Sequence, residues 1–145
     1  MKAFVYILLW SLILIPSYAL LHRLDSVNAA GNQFVIEGGQ FDLDVKVIIT
    51  RDTAYALKYV RYNLDSTVKS KDFDSRATTF TSVDGKGPII WMPDANDISI
   101  INHELLHATI DIMNWAGVPL CDNTEEVYAY ELQYLSKRFY DHINK

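Results

Sequence analysis

The stretch His103-Glu104-Leu105-Leu106-His107 decides the predicted fold, because it has the spacing H-E-x-x-H. In an α-helix His103 and His107 lie one turn apart on one face, so their imidazoles can bind one Zn²⁺ from the same side. Glu104 lies between them and reaches a water molecule rather than the metal, as a general base requires. The stretch therefore predicts a catalytic zinc site on a helix, completed by a third ligand from elsewhere in the chain.

The helix that contains this motif is predicted to run from about Ile98 to Trp115. Asp94 or Asp97 can cap its first turn, and Gly117 follows its end. Its sequence is apolar on nearly all sides, which predicts a central, buried helix. Buried imidazoles need a partner, either a backbone carbonyl or a metal, and a histidine pair at this spacing with a glutamate between favours the metal.

The third ligand is expected early in a final helix that runs from Glu125 to about Ile143. Glu126 begins a Glu-x-x-Ala stretch, in which the small Ala129 lets two helices approach closely, so Glu126 is the preferred ligand. Glu125 is the alternative, because helix phase separates the two poorly. Both glutamates also suit a helix N-terminus through the helix dipole, so one of them is expected to have that structural role alone.

Four further side chains near the motif have two interpretations each. Asp111, four residues after His107, either orients a metal ligand or is a surface charge. Tyr128 and Tyr130 can donate a hydrogen bond to a developing oxyanion, although core aromatics are the commoner case. Cys121 is expected to be a plain loop residue rather than a metal ligand, and as the single cysteine it excludes an intrachain disulfide.

The chain ahead of the motif predicts a small sheet with one helix. The elements, in chain order, are a strand over 44–50, a helix from Asp52 or Thr53 to about 64, strands over 77–83 and 88–92 joined by the hairpin turn 84–87, and the two helices above. This order, β-α-β-β-α-α, predicts an α+β fold with the motif helix packed against the sheet and the last helix. Because prolines flank strand 88–92, we place it at the sheet margin, where its free edge can hold an extended peptide.

The N-terminus begins with an almost unbroken apolar run over 3–15 that follows Lys2. Residues 1–21 are predicted to be a signal peptide cleaved after Ala19, or a membrane anchor. The alternative is a buried element of the domain. We interpret 22–42 as a linker or lead-in with a short strand at 33–37, and 43–145 as the folded domain. The protein is thus expected to be exported or membrane-associated through 3–21, and cytoplasmic otherwise.

Composition narrows the class of function. The chain has 145 residues, of which 50% are apolar and 12% aromatic, enough for a packed core. The net charge of -5 and the pI of about 5.2 argue against a nucleic-acid partner, whose binding surface on the protein is basic.

Residues 103–111 resemble the H-E-x-x-H-x-x-x-D run of thermolysin-like enzymes, and 126–129 is similar to the Glu-x-x-Ala of the same gluzincin branch of zincin metallopeptidases. The stretch 89–130 also looks like small single-domain metallopeptidases predicted in bacteriophages. The resemblance covers roughly 44–143. It implies a minimal zincin-like domain, one Zn²⁺, His103, His107 and a glutamate as ligands, and Glu104 as the catalytic acid and base.

The pattern departs from related families at several points. Ile110 and Met113 stand where metzincins have a glycine and a third histidine. The oxyanion histidine of thermolysin-like enzymes has no counterpart, and Cys121 lies downstream of the motif, whereas peptide deformylase has its cysteine upstream.

The expected function is a zinc-dependent metallopeptidase acting on a peptide or protein substrate. Zinc would lower the pKa of a bound water, and Glu104 would take its proton and later give it to the leaving amine. The alternative is a catalytically weak or inactive zincin-like module with a structural or binding role, with or without a membrane anchor.

Overall fold

The computed structural model describes residues 32–81 and 84–145. Within these residues the fold is α+β, with one mixed four-stranded sheet and three α-helices. Two short 3-10 helices, Gly39–Phe41 and Ser70–Phe73, lie in the connections. The predicted signal peptide or anchor over 1–21 lies outside the described residues. The regular elements are β1 (Asn32–Ile36), β2 (Val45–Ile49), α1 (Thr53–Asn63), β3 (Thr78–Phe80), β4 (Ile89–Met92), α2 (Ile98–Trp115) and α3 (Glu125–Ile143).

The strands lie in the order β1-β2-β4-β3, with β2 and β4 parallel and the two outer pairs antiparallel. The prediction of a free edge on strand 88–92 is wrong, because β4 pairs with β2 on one side and with β3 on the other. The crossover through α1 brings β4 beside β2, and the hairpin then places β3 outside. Pro88 does not prevent the pairing of β4 with β2, because its carbonyl accepts a hydrogen bond from Lys46 N at 3.1 Å.

Side chains alternate between the two faces of the sheet and separate two apolar cores. On β4, Ile89 and Trp91 point to the face covered by α1, and Ile90 and Met92 point to the face covered by α2 and α3. Trp91 also donates from Nε1 to the Thr50 carbonyl at 2.9 Å. The sheet is therefore a middle layer with helices on both sides.

Local signals in the sequence account for several element boundaries. Asp52 caps α1 by accepting from Tyr55 N at 2.9 Å, and Asp97 caps α2 by accepting from Ser99 N at the same distance. The predicted hairpin is confirmed: Asp84 and Gly85 have φ of 56° and 71°, the left-handed conformation that such turns favour.

β1 lies in the segment predicted to be a linker, where we expected a short strand at 33–37. It pairs antiparallel with β2 from Asn32↔Ile49 to Ile36↔Val45, so the sheet begins ahead of residue 43. Ile36 is buried in the same core as Val45. The end of the lead-in is thus part of the fold.

None of the helices in 32–81 and 84–145 has both the length and the apolar character that a membrane span requires.

Candidate functional site

The motif helix α2 is buried on one side only. Its buried stripe, Ile101, Leu105, Ala108 and Ile112, packs against the sheet and α3. His103 and His107 lie on the opposite, exposed side, where Leu106 is also 42% exposed. The prediction of a wholly buried helix is therefore wrong, because apolar residues also occupy its solvent-facing side. The histidines do not need a partner on grounds of burial.

The two histidines nevertheless converge. Their Nε2 atoms are 3.0 Å apart, and the ring planes make an angle of 81°. Two nitrogens bound to one tetrahedral Zn²⁺ at the usual bond length lie about 3.3 Å apart. Without a metal, a hydrogen bond at this distance requires one of the nitrogens to be unprotonated, which is also the state that binds zinc. The helix thus presents two imidazole nitrogens close to the spacing of a zinc site.

Glu104 lies beside this pair and is only 5% exposed. Its Oε2 accepts a hydrogen bond from Thr79 Oγ1 at 2.7 Å, and the same hydroxyl lies 3.0 Å from the Glu104 carbonyl oxygen. Thr79 belongs to the edge strand β3, so the sheet margin orients the carboxylate. No spacing rule in the sequence indicates this contact between residues 25 positions apart, and sequence reasoning missed Thr79.

An open pocket of about 470 Å³ connects Glu104 with His103. Arg76 stands on its wall and forms an ion pair with the capping residue Asp97, at 3.0 Å from Nη2 to Oδ2. The hydrogen bond from Ser99, with a smaller effect of Arg76, lowers the pKa of Asp97. The complete lining is Arg76, Ala77, Ser99, Ile100, His103 and Glu104. The candidate base and one candidate ligand therefore face the same open pocket.

The candidate third ligands lie on the first turn of α3. Glu125 and Glu126 are both exposed there, at the helix end where their charge suits the dipole. Among residues 32–81 and 84–145, no three His, Cys, Asp or Glu side chains are grouped closely enough to hold a metal ion. The structure therefore brings the Nε2 atoms of His103 and His107 together and lines one pocket with His103 and Glu104. It does not place Glu126 with the two histidines, so the assignment of Glu126 as a ligand stays a prediction.

The other polar residues near the motif differ in environment. Tyr128 is buried and donates to the Val118 carbonyl at 2.8 Å, which holds the α2–α3 connection and gives its hydroxyl a structural role. Tyr130 is 64% exposed, so the interpretation of Tyr130 as a core aromatic is wrong. Asp111 is half-buried on α2.

Cys121 is exposed in the connection between α2 and α3, as expected of a loop residue. Its Sγ lies 3.4 Å from Thr124 Oγ1, and the hydrogen bond from Thr124 is the main reason why the pKa of the thiol is lowered. Thr124 Oγ1 also accepts from Cys121 N at 3.0 Å. These contacts fix the loop from which α3 begins.

Sequence reasoning also missed Glu131. It is 2% exposed and lies in the buried stripe of α3 between Tyr128 and Leu135. Its Oε1 has no hydrogen-bond partner, and burial raises the pKa of its carboxyl group. The spacing of Tyr128, Glu131 and Leu135 fits a helix face, but a charged residue is not expected on a buried one.

No protein-family model, curated protein or solved structure matches the chain. The resemblance to zincin metallopeptidases is thus supported by the motif residues alone, and membership of that family stays a prediction. The function is inferred from the geometry around His103, Glu104 and His107.

Proposed function

We propose that the protein is a zinc-dependent metallopeptidase in which His103 and His107 bind the metal and Glu104 is the general base. One observation supports this more than any other. The two Nε2 atoms converge to 3.0 Å beside a buried glutamate whose carboxylate is held by Thr79. A histidine pair alone is compatible with a surface contact, but a buried, oriented carboxylate beside it is what proton transfer requires.

The donor set fits zinc. Two neutral imidazoles and one carboxylate, with a fourth position open, are a usual ligand set of catalytic zinc. In this proposal the carboxylate comes from α3, from Glu126 or, as the alternative, Glu125, and α3 packs beside α2. Zinc bound there supplies a Lewis acid that polarises a carbonyl and lowers the pKa of water.

Side chains of the protein hold the general base and provide space for the substrate. The hydrogen bond from Thr79 occupies Oε2 of Glu104 and fixes its rotamer, so the second oxygen can take a proton from water and return it to the leaving amine. The pocket shared by His103 and Glu104 provides the space for the scissile bond.

The edge of the sheet offers a binding site for the substrate. β3 is an outer strand, and Thr79 within it touches Glu104. An extended peptide that pairs with the outer side of β3 would pass along the pocket of Glu104. β3 thus takes the place that the sequence assigned to strand 88–92.

The test is hydrolysis of a casein or an unstructured peptide library by the full chain, loaded with one equivalent of zinc. We expect cleavage that stops on chelation, returns with zinc, and is lost in Glu104→Gln although that variant still binds zinc. Zinc-bound, folded wild-type protein that cleaves none of these substrates would favour the binding or structural module instead.

A further inference from the structure

The pocket shared by Glu104 and His103 has one lysine or arginine in its lining, Arg76. The side chain of Arg76 is 79% exposed. Glu104 is only 5% exposed, and its Oε2 already accepts a hydrogen bond from Thr79. The charge that this pocket presents to a bound molecule therefore comes mainly from the guanidinium group.

The ion pair with Asp97 holds Arg76 through one nitrogen atom. Nη2 of Arg76 lies 3.0 Å from Oδ2 of Asp97, and the other oxygen of Asp97 caps the first turn of α2. A guanidinium has five N–H donors in a planar fork, so Nε and Nη1 have donors for a second acceptor. The ion pair thus orients Arg76 on the pocket wall and leaves it able to bind an anionic group.

Arg76 lies in a short turn just ahead of the edge strand β3. Ser75 Oγ donates to the Ala77 carbonyl at 2.7 Å, a hydrogen bond that spans Arg76 and fixes the turn. Thr79, which holds Glu104, follows three residues after Arg76, about 10 Å along an extended chain. A peptide paired with the outer side of β3 would therefore pass Arg76 within about three residues of the point where it passes Glu104.

We propose that Arg76 determines specificity by binding a carboxylate of the substrate, within about three residues of the cleaved bond. The proposal rests on the metallopeptidase function and names its class of substrate. A carboxylate can accept two parallel N–H bonds from one guanidinium, which a neutral side chain does less well. The carboxylate can be an aspartate or glutamate side chain or the C-terminus of the peptide.

The test is kcat/KM of the zinc-loaded full chain on three alanine-rich decapeptides. The first has one central Glu and an amidated C-terminus, the second has Gln in place of that Glu, and the third is the Gln peptide with a free C-terminus. Because exposed charge pairs have modest energies, we expect kcat/KM about fivefold higher for a carboxylate peptide than for the neutral one, mainly through KM. The peptide that shows the gain assigns the carboxylate to a side chain or to the C-terminus.

Three variants separate the guanidinium from its surroundings. Arg76→Met keeps the apolar stem and should lose the preference, with little change in kcat/KM for the neutral peptide. Arg76→Lys keeps the charge and should keep part of the preference. Arg51→Met is the matched control, because Arg51 is 67% exposed and pairs with Asp94 at 3.4 Å outside the pocket lining. It should keep the full preference.

Binding gives a second measurement that needs no hydrolysis. The same peptides, labelled with fluorescein, are titrated into Glu104→Gln and followed by fluorescence anisotropy. The carboxylate peptide should bind about fivefold more tightly than the neutral one, and adding Arg76→Met should remove the difference.

The outcomes distinguish this proposal from the metallopeptidase function. Equal hydrolysis of the three peptides, equal binding of them, or an unchanged preference in Arg76→Met would overturn the role of Arg76 and leave the metallopeptidase proposal standing. Absence of hydrolysis of every peptide by folded, zinc-loaded wild type would overturn the proposed function and, with it, the role of Arg76 in specificity.

Discussion

Glu104 on α2 and Glu131 on α3 are the two buried charged side chains in 32–81 and 84–145, and their surroundings differ. Glu104 is held by Thr79 from the neighbouring strand and faces a pocket with His103. Glu131 has an oxygen without a partner and lies between tyrosines. Burial alone is therefore not the ground for proposing Glu104 as the general base; the grounds are the donor that fixes its carboxylate and the histidine that shares its pocket.

The largest expected effect is on hydrolysis. Glu104→Gln keeps the size and the hydrogen bond to Thr79 but cannot take a proton, so we expect the rate to fall about 10²- to 10⁴-fold. The measurement is kcat/KM with zinc contents matched to wild type. Asp141→Asn, a charge-matched change outside the pocket of Glu104, should keep the wild-type rate. Full activity in Glu104→Gln would remove Glu104 from the mechanism.

Zinc should stabilise the protein through the histidine pair on α2 and not through Glu131 on α3. At a concentration 100 times its Kd, zinc should add about 2.7 kcal/mol to the free energy of unfolding of the wild type. His103→Ala should lose this gain, measured as the rise in Tm on adding zinc, and Glu131→Gln should keep it. Asn102→Ala, an exposed neighbour on α2, is the control and should respond as wild type does.

The hydrogen bond from Thr79, which distinguishes Glu104 from Glu131, can be removed by itself. Thr79→Val keeps the shape of the side chain but leaves the buried carboxylate without its donor, so we expect a loss of about 1–3 kcal/mol in unfolding free energy. Thr79→Ser keeps the hydroxyl and should lose less. Chemical denaturation at pH 7 measures both, and a loss in Thr79→Ser as large as the loss in Thr79→Val would contradict a dominant role of the hydrogen bond.

The smallest effect concerns Glu131 and pH. Burial raises the pKa of its carboxyl group above the ordinary 4.5, so the folded state binds the proton more tightly than the unfolded state. This stabilisation is full below pH 4.5 and is lost as pH rises through the folded-state pKa. Glu131→Gln should therefore become more stable relative to wild type with rising pH, as denaturation between pH 4 and pH 8 can show. A pH-independent difference would contradict the assigned burial.

The sequence allowed the prediction of features that short-range signals determine. Asp52 and Asp97 marked helix starts, Asp84 and Gly85 marked a hairpin, and the helices α2 and α3 have the predicted bounds. The order of the strands in the sheet depends instead on pairing between residues that are distant in sequence. The internal position of β4 follows from the crossover through α1, which no local pattern specifies.

In the candidate site, too, local spacing predicted one feature and contacts between distant residues determine the others. The spacing of His103 and His107 predicted their convergence, because helix geometry alone determines it. The hydrogen bond from Thr79 to Glu104 depends on how β3 meets α2, and the burial of Glu131 depends on how α3 meets the turn after β1. Neither the hydrogen bond to Glu104 nor the burial of Glu131 is indicated by the neighbouring sequence.

The central claim, that α2 holds a metal, is tested most directly by elemental analysis of the full chain after dialysis against zinc and removal of the free ion. We expect about one Zn²⁺ per chain in wild type and in Glu104→Gln, and none in His103→Ala. Loss in one of Glu125→Gln and Glu126→Gln would name the third ligand. A folded wild-type protein that retains no zinc would contradict the account.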